Sequence, residues 1–220
     1  EIFGATTADI EATDRILDSL TVNDGAPTTD SGEETTALSV DGTLLDEIDT
    51  SGLSYTYVQL TDPAIVALVP ADYAEVESSV WTDSDGEPLG RQVTVAPSID
   101  DFNNDWTVPG IVIKSATGME ETLDWDEMLA SDYLAENCTY GDRYETTRTT
   151  GDVNFEVKYD IYTNCGDSEN VYGAVVAQSD PPDQIVFIDF VAVDDADSEA
   201  FDVLLQSFYV DPELVAATTE

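Results

Sequence analysis

Between Val153 and Tyr162 the chain alternates strictly, with Val153, Phe155, Val157, Tyr159 and Ile161 set against Asn154, Glu156, Lys158, Asp160 and Tyr162. A period of two sends successive side chains to opposite faces, so this stretch is predicted to be a strand with one buried and one wet face. Val171 to Ala177 and Ile185 to Val193 are nearly continuous apolar runs, the pattern of central strands covered on both faces. Earlier strand signals occur at Tyr55 to Leu60, Ala64 to Val69, Arg91 to Val95 and Ile111 to Lys114. They are separated by Pro63, Pro70 and a DSDGEPLG turn at 83 to 90. Helical spacing appears at Ile99 to Trp106, at Asp124 to Asn137 (Trp125, Met128, Leu129 and Tyr133, with Asp124 as N-cap), and at 196 to 208. In the last of these, Ala200, Phe201, Leu204, Leu205 and Phe208 form one apolar stripe. The order predicts an α+β fold: a mainly antiparallel sheet flanked by two or three helices.

One further pattern concerns domain organisation. Residues 8 to 22, ADIEATDRILDSLTV, match ADSEAFDVLLQSFYV at 196 to 210, with Asp9/Asp197, Glu11/Glu199, Asp14/Asp202 and Ser19/Ser207 among the identities. The period is 188 residues, the offset from Ala8 to Ala196. Self-similarity at a fixed offset marks repeated units. Residues 1–22 are therefore read as the closing strand end and helix of a preceding copy, and 23–37 (NDGAPTTDSGEETTA) as an acidic Thr/Ser-rich linker. Residues 38–210 are read as one complete domain, and 211–220 as a tail or the start of the next linker.

Forty-eight Asp and Glu against six Lys and Arg leave a formal net charge of -42. Such a surface repels phosphate backbones and anionic headgroups, so neither nucleic acid nor membrane insertion is expected. The apolar residues fall in ordered blocks, which points to a folded body with a solvated acidic shell. Added salt is expected to stabilise it by screening self-repulsion. Cys138 and Cys165 are the only cysteines, too few for a structural zinc site, and read most simply as one disulfide; two buried free thiols are the alternative. A disulfide places the chain outside the cytosol, secreted or at the cell surface.

The chain has no histidine, which removes Ser-His and Cys-His nucleophile pairs and the commonest metal ligand. Lys114 and Lys158 read as surface lysines. Paired carboxylates could hydrolyse glycosides, but 48 acids make proximity uninformative. Asp30-Ser31-Gly32 matches the aspartic-protease triplet only by chance, since no apolar strand flanks it. Asp83, Asp85 and Glu87 are the metal candidates, for calcium, yet counting Gly86 as the sixth loop position puts Trp81 first and Gln92 twelfth. A hairpin turn at Asp85-Gly86 fits better. Trp106, Tyr140, Arg143 and Arg148 are the ligand candidates, as an aromatic platform with isolated cations that could receive a sugar or an anion. Trp125 reads as core. No cofactor is expected.

Read together, ALVPADYAEVE (67–77), VAPSIDDFNNDWTVPGIVIKSA (95–116), the strand start Cys138-Thr139-Tyr140, YDIYTNCG (159–166) and DADSEAFDVLLQSF (195–208) resemble a module of secreted actinobacterial proteins. That module is often attached to trypsin-like serine proteases or other extracytoplasmic regions. The resemblance covers most of residues 53 to 210 and implies a fold similar to that of the PsbP and Mog1 proteins, a curved antiparallel sheet flanked by helices. No protease residue carries over, because the histidine, the oxyanion loop and the nucleophile motif are missing. The expectation is a non-catalytic extracellular accessory or protein-interaction domain, with neighbouring domains of its own chain, another protein or a cell-surface polymer as partners. A carbohydrate- or calcium-binding module and a carboxylate-only, glycosidase-like hydrolase are the competing classes.

Overall fold

The computed structural model describes residues 48–82, 85–118, 125–150 and 153–216. The expected remnant helix, the linker, Asp30-Ser31-Gly32, Asp83 and the Asp124 cap lie outside them. In chain order the elements are β1 (Tyr57–Thr61), β2 (Ile65–Pro70), β3 (Glu75–Thr82), β4 (Pro88–Ala96), α1 (Ile99–Phe102), β5 (Gly110–Thr117), α2 (Trp125–Leu129) and α3 (Asp132–Asn137). These are followed by β6 (Thr139–Thr150), β7 (Val153–Thr163), a 3-10 turn (Cys165–Asp167), β8 (Val171–Asp180), β9 (Gln184–Ala192), α4 (Asp195–Ser207), β10 (Tyr209–Val210) and α5 (Pro212–Ala216). The expectation of a mainly antiparallel sheet with helices holds, and the strands fall into two sheets. Seven form one in the order β3-β4-β5-β9-β8-β7-β6, and β1-β2-β10 form a smaller second one.

β9 is the middle strand of the large sheet, which accounts for its apolar run: Val186, Ile188 and Phe190 face one way and Ile185 and Phe187 the other. The inner face of the sheet meets α4, the longest helix described, and its core is Val93, Val95, Ile111, Ile113, Phe155, Val157, Val175 and Ile188 against Phe201, Leu204, Leu205 and Phe208. Phe190 stacks on Phe201 with ring centroids 4.4 Å apart. The opposite side of α4, through Ala200 and Val203, seats the small sheet at Tyr57 and Leu68. Ser207 fastens this contact, accepting from the Leu68 amide at 2.8 Å. Asp194 caps α4, its carboxylate accepting from the Asp197 amide at 3.0 Å.

The outer face carries α2 and α3. The periodicity predicts one helix from 124 to 137, whereas Ser131 breaks it in two: its backbone is extended and its hydroxyl accepts from the Leu134 amide, starting α3 afresh. The helix expected at 99 to 106 stops at Phe102, capped by Ser98. The wet face expected on β7 is wet only in part. Asn154 and Glu156 are exposed, but Asp160 and Tyr162 are buried and Lys158 is half-buried, because the outer-face helices cover that end of the strand. Beyond 210, where a tail is expected, α5 continues the packed body and buries Val215 in the main core.

Candidate functional site

Trp106 is the hub of the outer face. Its ring stacks on Tyr133 at 5.8 Å, meets Tyr172 edge-on at 5.8 Å, and packs with Leu134, Tyr162 and Cys165. Its carbonyl accepts from the Asn170 side chain. Gly166, at φ 60°, lies so close that a Cβ there would come within 2.3 Å of the indole, so only glycine allows this approach. Cys138 and Cys165 are joined as a disulfide across this cluster, tying the end of α3 to the 3-10 turn after β7. Trp106 is thus part of a packed aromatic layer.

Three ion pairs complete that face. Arg143 grips Asp160 with two contacts, at 2.6 and 2.8 Å, and Asp160 is 2% exposed. Lys114 meets Asp189 at 3.1 Å, and Asp189 also accepts from the Tyr172 hydroxyl at 2.7 Å. Burial and the Asp189 carboxylate push the Tyr172 phenol far above its ordinary pKa. Lys158 meets Glu145 at 2.9 Å and lies 5.3 Å above the Trp125 ring. Both lysines expected at the surface are therefore partly covered and paired.

The four ligand candidates do not form one site. Arg143 and Arg148 lie on opposite faces of β6, opposite Asp160 and Phe155 of β7 respectively. Arg148 belongs to the inner side, with its guanidinium 4.7 Å from the Phe208 ring and donating to the Gln206 carbonyl; burial brings its pKa down to about 10. Tyr140 is half exposed and meets Tyr162 edge-on at 5.5 Å. Asp85 and Glu87 flank Gly86, at φ 84°, in the β3–β4 hairpin, and no group of three or more metal-binding side chains occurs among the described residues.

Two carboxylates on α4, which the sequence marks only as repeat identities, take on distinct structural roles. Asp197 is fully buried and accepts from the Tyr55 and Tyr73 hydroxyls, each at 2.7 Å, and from the Val193 amide at 3.0 Å. It joins the segments flanking the small sheet to the start of α4. Five residues on, Asp202 has the opposite character: its buried Oδ1 has no hydrogen-bond partner among the described residues, and neither do the Tyr57 and Tyr159 hydroxyls. Burial and the nearby Glu199 push the Asp202 pKa up to about 7. The signal for it was present in AFDVLL, an acid with large apolar residues on both sides.

At the β3 edge, Glu75, Val76, Glu77, Ile99, Asp100 and Asn103 line an open acidic groove of about 590 Å³. Glu75 accepts from the Ile99 amide at 2.8 Å, and Glu77 and Asp100 are exposed. β3 is the first strand in sheet order and leaves Val76 and Val80 in solvent.

No family model matches the chain, and no curated protein matches it. Among solved structures it is similar to the solution structure of cyanobacterial PsbP (CyanoP) from Synechocystis sp. PCC 6803. The identity is 12%, the coverage is 74% of this chain and 97% of that one, and the TM-score is 0.41.

Proposed function

We propose that this chain is a non-catalytic accessory or protein-interaction domain of a secreted multidomain protein, with a PsbP/Mog1-like fold. The observation that carries this reading is how its chemically capable side chains are used. Trp106 is packed under Tyr133, Arg143 is spent on Asp160, Arg148 on Phe208 and Gln206, and Lys114 on Asp189. An acidic groove faces solvent along the β3 edge, where Glu75 and Glu77 accompany exposed Val76 and Val80. An edge strand of this kind can receive an extended segment of a partner, and its carboxylates favour one carrying basic or neutral hydrogen-bonding groups.

The disulfide supports placement outside the cytosol, where such bonds persist. Tandem organisation is supported by what the repeated positions do in the described copy. Asp197 holds two tyrosines and Ser207 holds the Leu68 amide, and both recur in residues 8–22 as Asp9 and Ser19. General helix amphipathicity does not require either polar identity.

Incubation of the purified chain in high salt with panels of peptide, ester and glycoside substrates is expected to give no turnover. A reaction abolished by one Asp→Asn substitution would overturn the reading. Carbodiimide cross-linking within the intact parent protein is expected to map to the Glu75, Glu77 and Asp100 side. Cross-links confined to other faces would remove the β3 edge from it.

A further inference from the structure

We propose that Asn137 is an N-glycosylation site, and that its sugar chain covers the aromatic end of the outer face and the adjoining β6 edge. Asn137-Cys138-Thr139 has the Asn-X-Ser/Thr pattern of an asparagine that accepts sugar, and no other asparagine of the chain is followed at that spacing by serine or threonine. So short a pattern arises by chance, and its placement decides. Asn137 is the last residue of α3, Cys138 leaves the helix with an extended backbone (φ -128°, ψ 162°), and Thr139 opens β6. Asn137 and Thr139 are both exposed, while Cys138 between them turns to its disulfide. Asn137 Nδ2 donates to the Tyr133 carbonyl at 2.8 Å. An amide nitrogen carries two N–H groups and keeps one when glycosylated, so the Tyr133 carbonyl retains a donor beneath the sugar.

The surroundings supply what a sugar chain would cover. Tyr133, four residues before Asn137, is 60% exposed, and Tyr140, three residues after it, is 51% exposed. They are the open ends of one run of ring contacts: Tyr133 to Trp106 and Trp106 to Tyr172 at 5.8 Å each, Tyr172 to Tyr162 at 6.4 Å, and Tyr162 to Tyr140 at 5.5 Å. Rings held in this way offer flat apolar faces on which a sugar packs. β6 is the last strand of the large sheet, 12 residues long and without proline, the kind of edge that invites pairing with another chain. A bulky hydrated group at its start obstructs such pairing and leaves β3, at the other end of the sheet, as the edge open to a partner. The attachment is a substitution at an anomeric carbon of a lipid-phosphate-linked oligosaccharide. Asn137 Nδ2 forms the new N–C bond, the C–O bond to the phosphate breaks, the phosphate leaves with the electron pair, and one Nδ2 proton passes to a base. Attachment precedes folding of this corner, because the folded chain ties Cys138 to Cys165 and engages its amide with the Leu134 carbonyl at 2.8 Å.

The site rests on the extracellular reading above, and peptide mass spectrometry of the intact protein, isolated from the medium or surface of the cells that make it, separates the two. The peptide containing Asn137 is expected to carry an oligosaccharide. A bare Asn137 in a secreted, disulfide-bonded chain would overturn the site and leave the extracellular reading standing. Free Cys138 and Cys165 thiols in protein retained inside the cell would overturn both. In the same cells, Asn137→Gln and Thr139→Ala are each expected to lose the sugar mass, and Thr139→Ser to keep it. Sugar retained by Asn137→Gln would place the modification elsewhere. Cys165→Ser leaves the acceptor tripeptide intact and is expected to match or exceed wild-type occupancy; a fall would overturn the order of attachment. Should that variant not reach the surface, occupancy of wild-type chains synthesised with dithiothreitol in the medium decides the same point.

Discussion

The two faces of the seven-stranded sheet are covered by different means. Inside, a 13-residue helix lays Phe201, Leu204 and Leu205 along the sheet and carries the small sheet on its back. Outside, two helices of 5 and 6 residues bury little more than Leu129 and Leu134. Where apolar side chains run out, three ion pairs, an aromatic layer around Trp106 and the disulfide take over. The difference follows from helix length: α2 and α3 are too short to stand alone, so the outer cover depends on tertiary contacts. The inner face is held by buried area, which tolerates salt. The outer face is held by directional contacts, which fail one at a time.

Phe201→Ala strikes the inner face where it is densest. It removes the ring stacked on Phe190 from a site with no exposure, and should cost about 3–5 kcal/mol in urea unfolding, the largest single effect expected here. A loss below about 1 kcal/mol would mean that the inner core is not the dominant support. Replacing Cys138 and Cys165 together by serine opens a loop with a sequence separation of 27 and should cost about 3–4 kcal/mol in the chain-entropy account. Amide exchange separates the two variants. Loss of the disulfide should accelerate exchange in α3 and residues 165–170 first, while β5 and β9 stay protected. Uniform acceleration across both faces would erase the contrast.

The contrast also explains which parts were readable beforehand. β7, β8, β9 and α4 carry the inner core, and their apolar spacing announces them. β3 and β10 escaped notice, and β6 was anticipated only at its start through family resemblance. β3 is exposed along most of its length, β10 has two residues, and β6 is the polar sequence TYGDRYETTRTT. Edge strands are fixed by backbone pairing to a neighbour, which leaves no hydrophobic period to detect. The packing of Trp106 is not legible in the sequence for a related reason: its partners, Tyr133 and Tyr172, are distant in sequence and meet only once the sheet has formed. The candidates Arg143 and Arg148 were grouped by closeness in sequence, which a strand contradicts, because an odd spacing sends them to opposite faces.

The smallest expected effect tests whether the outer ion pairs stabilise or merely neutralise. Arg143→Leu leaves Asp160 buried beneath α2 and α3 without its cation and should cost about 2–3 kcal/mol, below the usual range for a broken buried pair because Arg143 is partly open to solvent. The double variant Arg143→Leu, Asp160→Leu removes the stranded charge as well. If the pair chiefly offsets its own desolvation, the double variant should recover most of the loss and lie within about 1 kcal/mol of wild type. A double variant as unstable as the single one would show that the two short contacts at 2.6 and 2.8 Å themselves hold the outer cover in place, since apolar replacements could not substitute for them. Either result fixes what the outer face draws on, and only the second would make it differ in kind from the inner one.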